Sequence, residues 1–128
     1  MIQTQGLSKK FAGLTAVNAI NLQVNAGEIF GLVGPDGAGK TTLMRMILGI
    51  IDPSAGTLSV MGNANIESIK KSIGYIPQKF SLYRDLSVME NIRLIGSLYG
   101  ASTDAIESRA QEILAFTNLL PFADRLAD

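Results

Sequence analysis

Short apolar runs and longer apolar periodicities alternate along this chain. The runs INLQV (20–24), IFGLV (29–33) and IGYIP (73–77) are short, rich in strand-forming residues and bounded by turn signals, so each predicts a strand. A further short strand is predicted for TLSVMG (57–62). The run 29–33 is apolar almost throughout, which is typical of a strand covered on both faces in the middle of a sheet.

Three later stretches have apolar residues at helical spacing. The first is expected to end near Gly49 and Pro53, and the third before Pro121. Ser87 with Glu90 has the spacing of a capping box at the start of the second helix, and Asp104 with Glu107 repeats that arrangement at the third. The predicted buried stripes are Leu43, Met46, Ile47 and Ile50; Val88, Ile92, Ile95 and Tyr99; and Ile106, Ala110, Ile113 and Leu114.

This order of elements predicts the α/β class, with a mixed sheet that begins as antiparallel strands. The length of 128 residues suits one domain. Lys plus Arg equals Asp plus Glu at 11 each, so the chain lacks the positive excess that binds nucleic acid. It has no cysteine and no histidine, which excludes a disulfide framework and removes the commonest general base. Without a signal sequence or an apolar run of about 20 residues, a soluble intracellular chain is expected.

The stretch GPDGAGKTT, residues 34–42, lies between the predicted strand 29–33 and the first helix. Glycines at 34, 37 and 39 allow backbone angles that turn amide groups toward an anion, and the helix start adds a partial positive charge. Lys40 can reach β- and γ-phosphate oxygens, and the Thr41 hydroxyl suits Mg²⁺. The alternative is a glycine-rich turn without a ligand. The predicted phosphate-contacting residues are Gly34, Pro35, Asp36, Gly37, Ala38, Gly39, Lys40, Thr41 and Thr42.

The phosphate loop alone does not identify the class of nucleotide-binding protein. A small GTPase would need an Asn-Lys-x-Asp motif, which this sequence lacks. A helicase would need a basic nucleic-acid face, which the balanced charge does not favour.

Over essentially its whole length the chain resembles an ABC transporter ATP-binding domain. The resemblance rests on the loop, on Phe11 before it, and on Gln78 in IGYIPQKFSLYRDLSVMENI after it. Within the family, the sequence is most similar to bacterial ABC-2-type and multidrug-efflux export subunits. The resemblance divides the chain into two parts. Residues 1–78 would form an entry sheet and the phosphate-loop core, and residues 79–128 the Q-loop and the start of a helical subdomain.

The resemblance implies ATP and Mg²⁺ as ligands. Phe11 would stack on adenine, Lys40 and Gln78 would be the catalytic residues, and Thr41 and Gln78 would hold Mg²⁺. Read without the resemblance, Phe11 suits a core aromatic residue after a strand, and Gln78 an ordinary loop residue exposed to solvent.

The resemblance also implies partners. A second ATP-binding domain would complete a sandwich around two ATP molecules, and transmembrane permease subunits would contact the chain, with no nucleic acid involved. The chain would lie in the cytoplasm, on the inner face of the membrane. The residues expected to meet the permease are Phe80, Leu82, Tyr83 and Arg84.

The motifs that this family uses for hydrolysis are not found in the sequence. There is no apolar run leading into Asp-Glu, no LSGG loop and no histidine. The expected function is therefore ATP binding, with ATP hydrolysis for export in the intact protein, the 128 residues being inactive alone. A non-catalytic nucleotide-binding module and a soluble ABC-type ATPase acting on ribosomes or DNA are the alternatives.

Overall fold

The computed structural model describes residues 1–79 and 81–127, which form two compact units. The first unit is Met1–Gly74 and the second Tyr75–Asp128, whereas the sequence interpretation placed Tyr75–Gln78 with the first part.

The first unit is built on an antiparallel sheet of three strands. They are β1 (Ile2–Phe11), β2 (Leu14–Val24) and β3 (Ala55–Val60), and β1 lies between the other two. Ala12 and Gly13 join β1 to β2 with positive φ angles of 41° and 90°, the geometry of a two-residue hairpin turn that follows the twist of the strands.

Helix α1 (Lys40–Ile47) covers this sheet, and a 3₁₀ helix (Ile66–Ser72) follows β3. Leu43, Met46 and Ile47 are buried as predicted, but Ile50 is 57% exposed because α1 has already ended. The core residues of this unit are Leu7, Val17, Leu43, Met46, Ile47, Val60 and Ile66.

The second unit contains α2 (Val88–Leu98), α3 (Thr103–Phe116) and a short 3₁₀ helix (Leu120–Phe122). Met89, Ala110 and Leu114 form its core. The capping box of Ser87 and Glu90 is confirmed at the start of α2, and α3 ends before Pro121 as predicted.

Two details predicted for these helices are wrong. The cap of α3 is Ser102, whose hydroxyl accepts from the Ala105 amide, and Asp104 already lies inside the helix. The buried face of α2 includes Met89 and Asn91, while the far end of the predicted stripe is exposed. Three residues predicted to lie in the core are exposed. They are Ile95 in α2, Tyr99 directly after α2, and Ile113 in α3.

The runs 29–33 and 73–77 are not strands in the part of the chain that the structure describes. Ile29, Val33 and Ile76 are at least 93% exposed. A run that is apolar on both faces becomes a strand only when neighbouring strands pair with it and other elements cover it. The described residues supply no such strand, so the observed sheet is purely antiparallel instead of mixed.

No helix within residues 1–79 and 81–127 has the length and apolar character needed to cross a bilayer.

Candidate functional site

The loop 34–39 leads directly into α1. Gly39 is the N-cap residue, and the first α-helical bond of α1 runs from the Leu43 amide to the Gly39 carbonyl at 2.9 Å. The amide groups of Lys40, Thr41 and Thr42 therefore precede the hydrogen-bond ladder of the helix. Such amides at the positive end of a helix are donors for an anion.

Lys40 lies over this loop. Its ammonium donates to the carbonyl oxygens of Gly34 and Pro35, each at 2.6 Å. An ammonium has three donors, so one donor is left among its described contacts. The two carbonyls thus hold the charge of Lys40 at the loop, next to the amides of the first helical turn.

Gly39 is fixed by a close backbone approach. Its φ is 88°, and a Cβ at this position would lie 2.2 Å from the Ala16 carbonyl oxygen of β2. Only glycine meets both requirements, the left-handed backbone and the contact. This contact seats the end of the loop against β2.

The other two loop glycines differ from one another. Gly37 also has a positive φ, 79°, but a Cβ there would meet nothing within 4 Å. Gly34 does not use the angles that glycine alone allows, because its φ is not positive. A Cβ on Gly34 would make only ordinary contacts with Ala38 and Lys40.

The remaining residues of the stretch 34–42 are mostly exposed to solvent. Pro35, Asp36 and Ala38 are exposed, as is Thr41, while Thr42 is half-buried. The Thr41 side chain is therefore accessible to a ligand at the helix start.

Phe11 ends β1, on the hairpin whose second strand contacts Gly39. Its side chain is 45% exposed. The Lys9 ammonium lies 5.2 Å from the centre of the ring and also donates to the Asp52 carbonyl oxygen at 2.5 Å. Phe11 is thus a partly exposed ring with a cation over it and not a core residue.

Gln78 belongs to the second unit, in the irregular segment before α2, and it is exposed. It lines a cavity of about 690 Å³ within that unit together with Pro77, Lys79, Leu82 and Ile95. The structure therefore brings the predicted Mg²⁺ ligand Gln78 and the predicted permease-contacting residue Leu82 to one groove.

The rest of the predicted permease surface is partly described. Leu82 is 44% exposed and Tyr83 56% exposed. Arg84 is also exposed and makes an interaction of its own. Phe80 lies outside the described residues.

Glu90 is occupied by its structural role. Its carboxylate accepts from the Ser87 amide at 2.7 Å, and these hydrogen bonds from Ser87 hold the pKa of Glu90 below its ordinary value. A carboxylate with a lowered pKa is a weak base, so Glu90 is poorly suited to activate water.

Sequence reasoning missed two features that shape these regions. One is the contact of Ala16 with Gly39, which joins residues distant in sequence and leaves no local signal. The other is Asn91, a buried polar residue at a position of α2 next to apolar ones. An asparagine inside an amphipathic stripe was the available signal for the second.

The described residues offer a divalent ion no cluster of carboxylates, so its ligands at the loop would be other oxygen atoms. Within the described residues, no group of three or more His, Cys, Asp or Glu side chains could hold a metal ion. Mg²⁺ keeps several waters and is commonly held by one or two protein groups together with substrate phosphates. An accessible Thr41 hydroxyl at the loop fits that mode of binding.

Comparisons with known proteins agree on one family. A family model described as "ABC transporter" matches residues 17–128. The probable multidrug ABC transporter ATP-binding protein YbhF of Escherichia coli K12 is 44% identical, over 99% of this chain and 23% of its own length. The Nod factor export ATP-binding protein I of Rhizobium sp. N33 is 39% identical, over 96% of this chain and 41% of its own length.

A solved structure of a bacterial ABC transporter cassette, described as dimeric, has the same fold. It superposes with a TM-score of 0.81 at 25% identity, over 98% of this chain and 61% of the other. The chain thus spans 23% and 41% of the lengths of the two curated relatives.

Proposed function

The chain belongs to the ABC transporter family, and on that premise we propose that it binds Mg-ATP at the loop 34–42. In the whole protein, hydrolysis of this ATP drives export through membrane subunits. The observation that carries the proposal is the position of Lys40, whose ammonium two loop carbonyls hold beside the free amides of α1.

The roles of the loop residues follow from their chemistry. The amides at the start of α1 and the third donor of Lys40 bind β- and γ-phosphate oxygens. Mg²⁺, when bound, would neutralise part of the phosphate charge, and within the first unit the Thr41 hydroxyl would hold it. Lys40 stabilises the charge that develops on the transferred phosphoryl group.

Phe11 is the proposed adenine contact. Its partly exposed ring offers a π-face, and stacking of a base on an aromatic side chain contributes roughly 1–3 kcal/mol. The hairpin that carries Phe11 is also the one seated against Gly39, so the sheet fixes the ring and the phosphate loop within one unit.

The proposed partners are a second ATP-binding domain and transmembrane subunits. The dimeric cassette of the same fold supports the first, and the export protein among the relatives supports the second. Leu82, Tyr83 and Arg84 are the proposed contacts with the membrane subunits, since apolar side chains beside charged ones suit an interface patch. On this proposal, the chain lies at the cytoplasmic face of the membrane.

The test is ATP hydrolysis by the intact protein assembled with its membrane subunits. Replacing Lys40 by Ala removes the positive charge that the Gly34 and Pro35 carbonyls hold at the loop and should lower kcat about 100-fold or more. Lys71→Ala, an exposed lysine of the same unit, is the matched control and should keep wild-type turnover. Equal turnover by the Lys40→Ala protein would exclude the proposed site.

A further inference from the structure

Asn91, in the first turn of α2, has the least exposed polar side chain among the described residues. It is 2% exposed. Its Oδ1 accepts from the Tyr83 amide at 2.8 Å. Its Nδ2 donates to three carbonyl oxygens, those of Tyr83 at 2.9 Å, Leu86 at 3.2 Å and Ser87 at 2.9 Å. One side chain thus bonds four backbone groups of the segment 83–87, which belong to Tyr83, Leu86 and Ser87.

Residues 83–86 form a turn that the Leu86 amide closes by donating to the Tyr83 carbonyl oxygen at 3.2 Å. Tyr83 is held at both its amide and its carbonyl, as a strand residue would be by a neighbouring strand. The Leu86 carbonyl also accepts from the Ala127 amide at 3.0 Å, which fixes the far end of the segment. The buried Asn91 amide adds bonds at Tyr83 and Leu86, the two ends of this turn, and so helps to fix its path.

The first amides of α2 have hydrogen-bond partners other than the Asn91 side chain. The Val88 and Met89 amides donate to the carbonyls of Arg125 and Ala123, each at 2.9 Å. The Glu90 amide donates to the Ser87 hydroxyl at 3.1 Å. These three amides have partners other than the Asn91 side chain. That side chain makes one bond at the cap of the helix, to the Ser87 carbonyl, and its other bonds are to Tyr83 and Leu86 in the preceding segment.

The first three residues of the segment 83–87 are exposed to solvent. Tyr83 is 56% exposed, and Arg84 and Asp85 are exposed as well. A rigid backbone with exposed side chains is how a binding surface reduces the entropy that ordering would cost on association.

We propose that Asn91 is a positioning residue for the membrane-subunit contact. It fixes the backbone of 83–87 so that Leu82, Tyr83 and Arg84 meet the membrane subunits in one arrangement. This inference rests on the proposed function, which assigns those three residues to the interface.

The test compares Asn91→Ala and Asn91→Asp with wild type in the full-length protein and its membrane subunits. The alanine removes every hydrogen bond of the amide, whereas the aspartate keeps an acceptor for the Tyr83 amide and loses the donors. Ser102→Ala is the control, because it removes a helix cap of α3 that does not touch the segment.

Two measurements separate positioning from general stability. The first is hydrogen exchange of the Tyr83 amide, which should become at least ten times faster in Asn91→Ala and less so in Asn91→Asp. The second is photo-cross-linking from a benzophenone side chain at Leu82 to the membrane subunits, which should fall several-fold in both Asn91 variants. ATP turnover without the membrane subunits and the Ser102→Ala cross-link should both stay within about two-fold of wild type.

Three outcomes would overturn the inference. Unchanged exchange of the Tyr83 amide would show that Asn91 does not fix the segment. A cross-link as strong in Asn91→Ala as in wild type would remove the positioning role alone. If wild type itself gives no cross-link, the proposed membrane contact is wrong, and the positioning role with it.

Discussion

At the scale of single residues, the loop 34–39 depends on two glycines for different reasons. Gly37 and Gly39 both have φ near +80 to +90°. Of the two, only Gly39 lies in close contact with a strand, at the Ala16 carbonyl of β2. The backbone angle alone costs an L-residue about 1–2 kcal/mol. The steric contact adds to this cost at Gly39 only.

Alanine at these two positions should therefore destabilise the chain unequally. Gly37→Ala should lower Tm by several degrees, and Gly39→Ala by clearly more, because its Cβ displaces β2 or the loop. Thermal unfolding followed by circular dichroism measures both. Equal Tm values would mean that the contact between the loop and β2 does not stabilise the fold.

Local patterns predicted these residues only in part. The spacing from Gly34 to Thr41 predicted the loop and the start of α1, since capping and periodicity are local properties of sequence. The contact of Ala16 with Gly39 joins residues from different elements, so no local pattern predicts it. The Lys9 ammonium above Phe11 belongs to the same strand, two residues away, where alternate side chains share a face, but the bounds of the strand 2–11 were not predicted.

At the scale of elements, the starts of α2 and α3 offer a matched pair of caps. Ser87 belongs to a complete capping box with bonds of 3.1 and 2.7 Å, while the Ser102 hydroxyl accepts at 3.4 Å. Ser87→Ala should cost about 1 kcal/mol and Ser102→Ala less. Urea unfolding of the two variants checks the order, and a larger loss for Ser102→Ala would contradict it.

The same elements predict how stability depends on pH. Hydrogen bonds from Ser87 lower the pKa of Glu90, and the hydrogen bond and charge of Arg93 lower the pKa of Glu107. Groups with a lowered folded pKa stabilise the fold above their unfolded value of about 4.3, and this stability is lost as pH falls through the folded value.

The free energy of unfolding should therefore fall below about pH 4.3. The double variant Glu90→Gln, Glu107→Gln should show a smaller fall than wild type over the same range. Urea unfolding between pH 3 and 7 gives both curves. Parallel curves for the two proteins would assign the acid sensitivity to other groups.

At the scale of the whole molecule, the comparisons confirm the predicted α/β fold of an ABC-type ATP-binding domain. The predicted strands 29–33 and 73–77 are wrong for the described residues, for a reason that hydrophobicity cannot reveal. An apolar run predicts burial, but burial needs a partner strand, and pairing is a property of the assembled sheet. The resemblance to the family predicted the fold class correctly, although local periodicity predicted two strands that the described residues do not form.

Exposure of the run 29–33 has a measurable consequence for this chain. Ile29 and Val33 are 99% and 93% exposed, so the double variant Ile29→Thr, Val33→Thr should change the free energy of unfolding by no more than about 0.5 kcal/mol per site. It should also bind less of the apolar dye ANS. Leu7→Ala, in the core, should cost about 2–5 kcal/mol. A loss of that size in the threonine variant would mean that the run is buried.

The most direct test of the central claim is whether ATP binds at the loop through Lys40. Thermal unfolding of the chain with millimolar Mg-ATP gives the answer, because a ligand that binds only the folded state raises Tm. Wild type and Lys71→Ala should rise by more than about 1 °C and Lys40→Ala should not. An equal rise in Lys40→Ala, or none in wild type, would contradict the account.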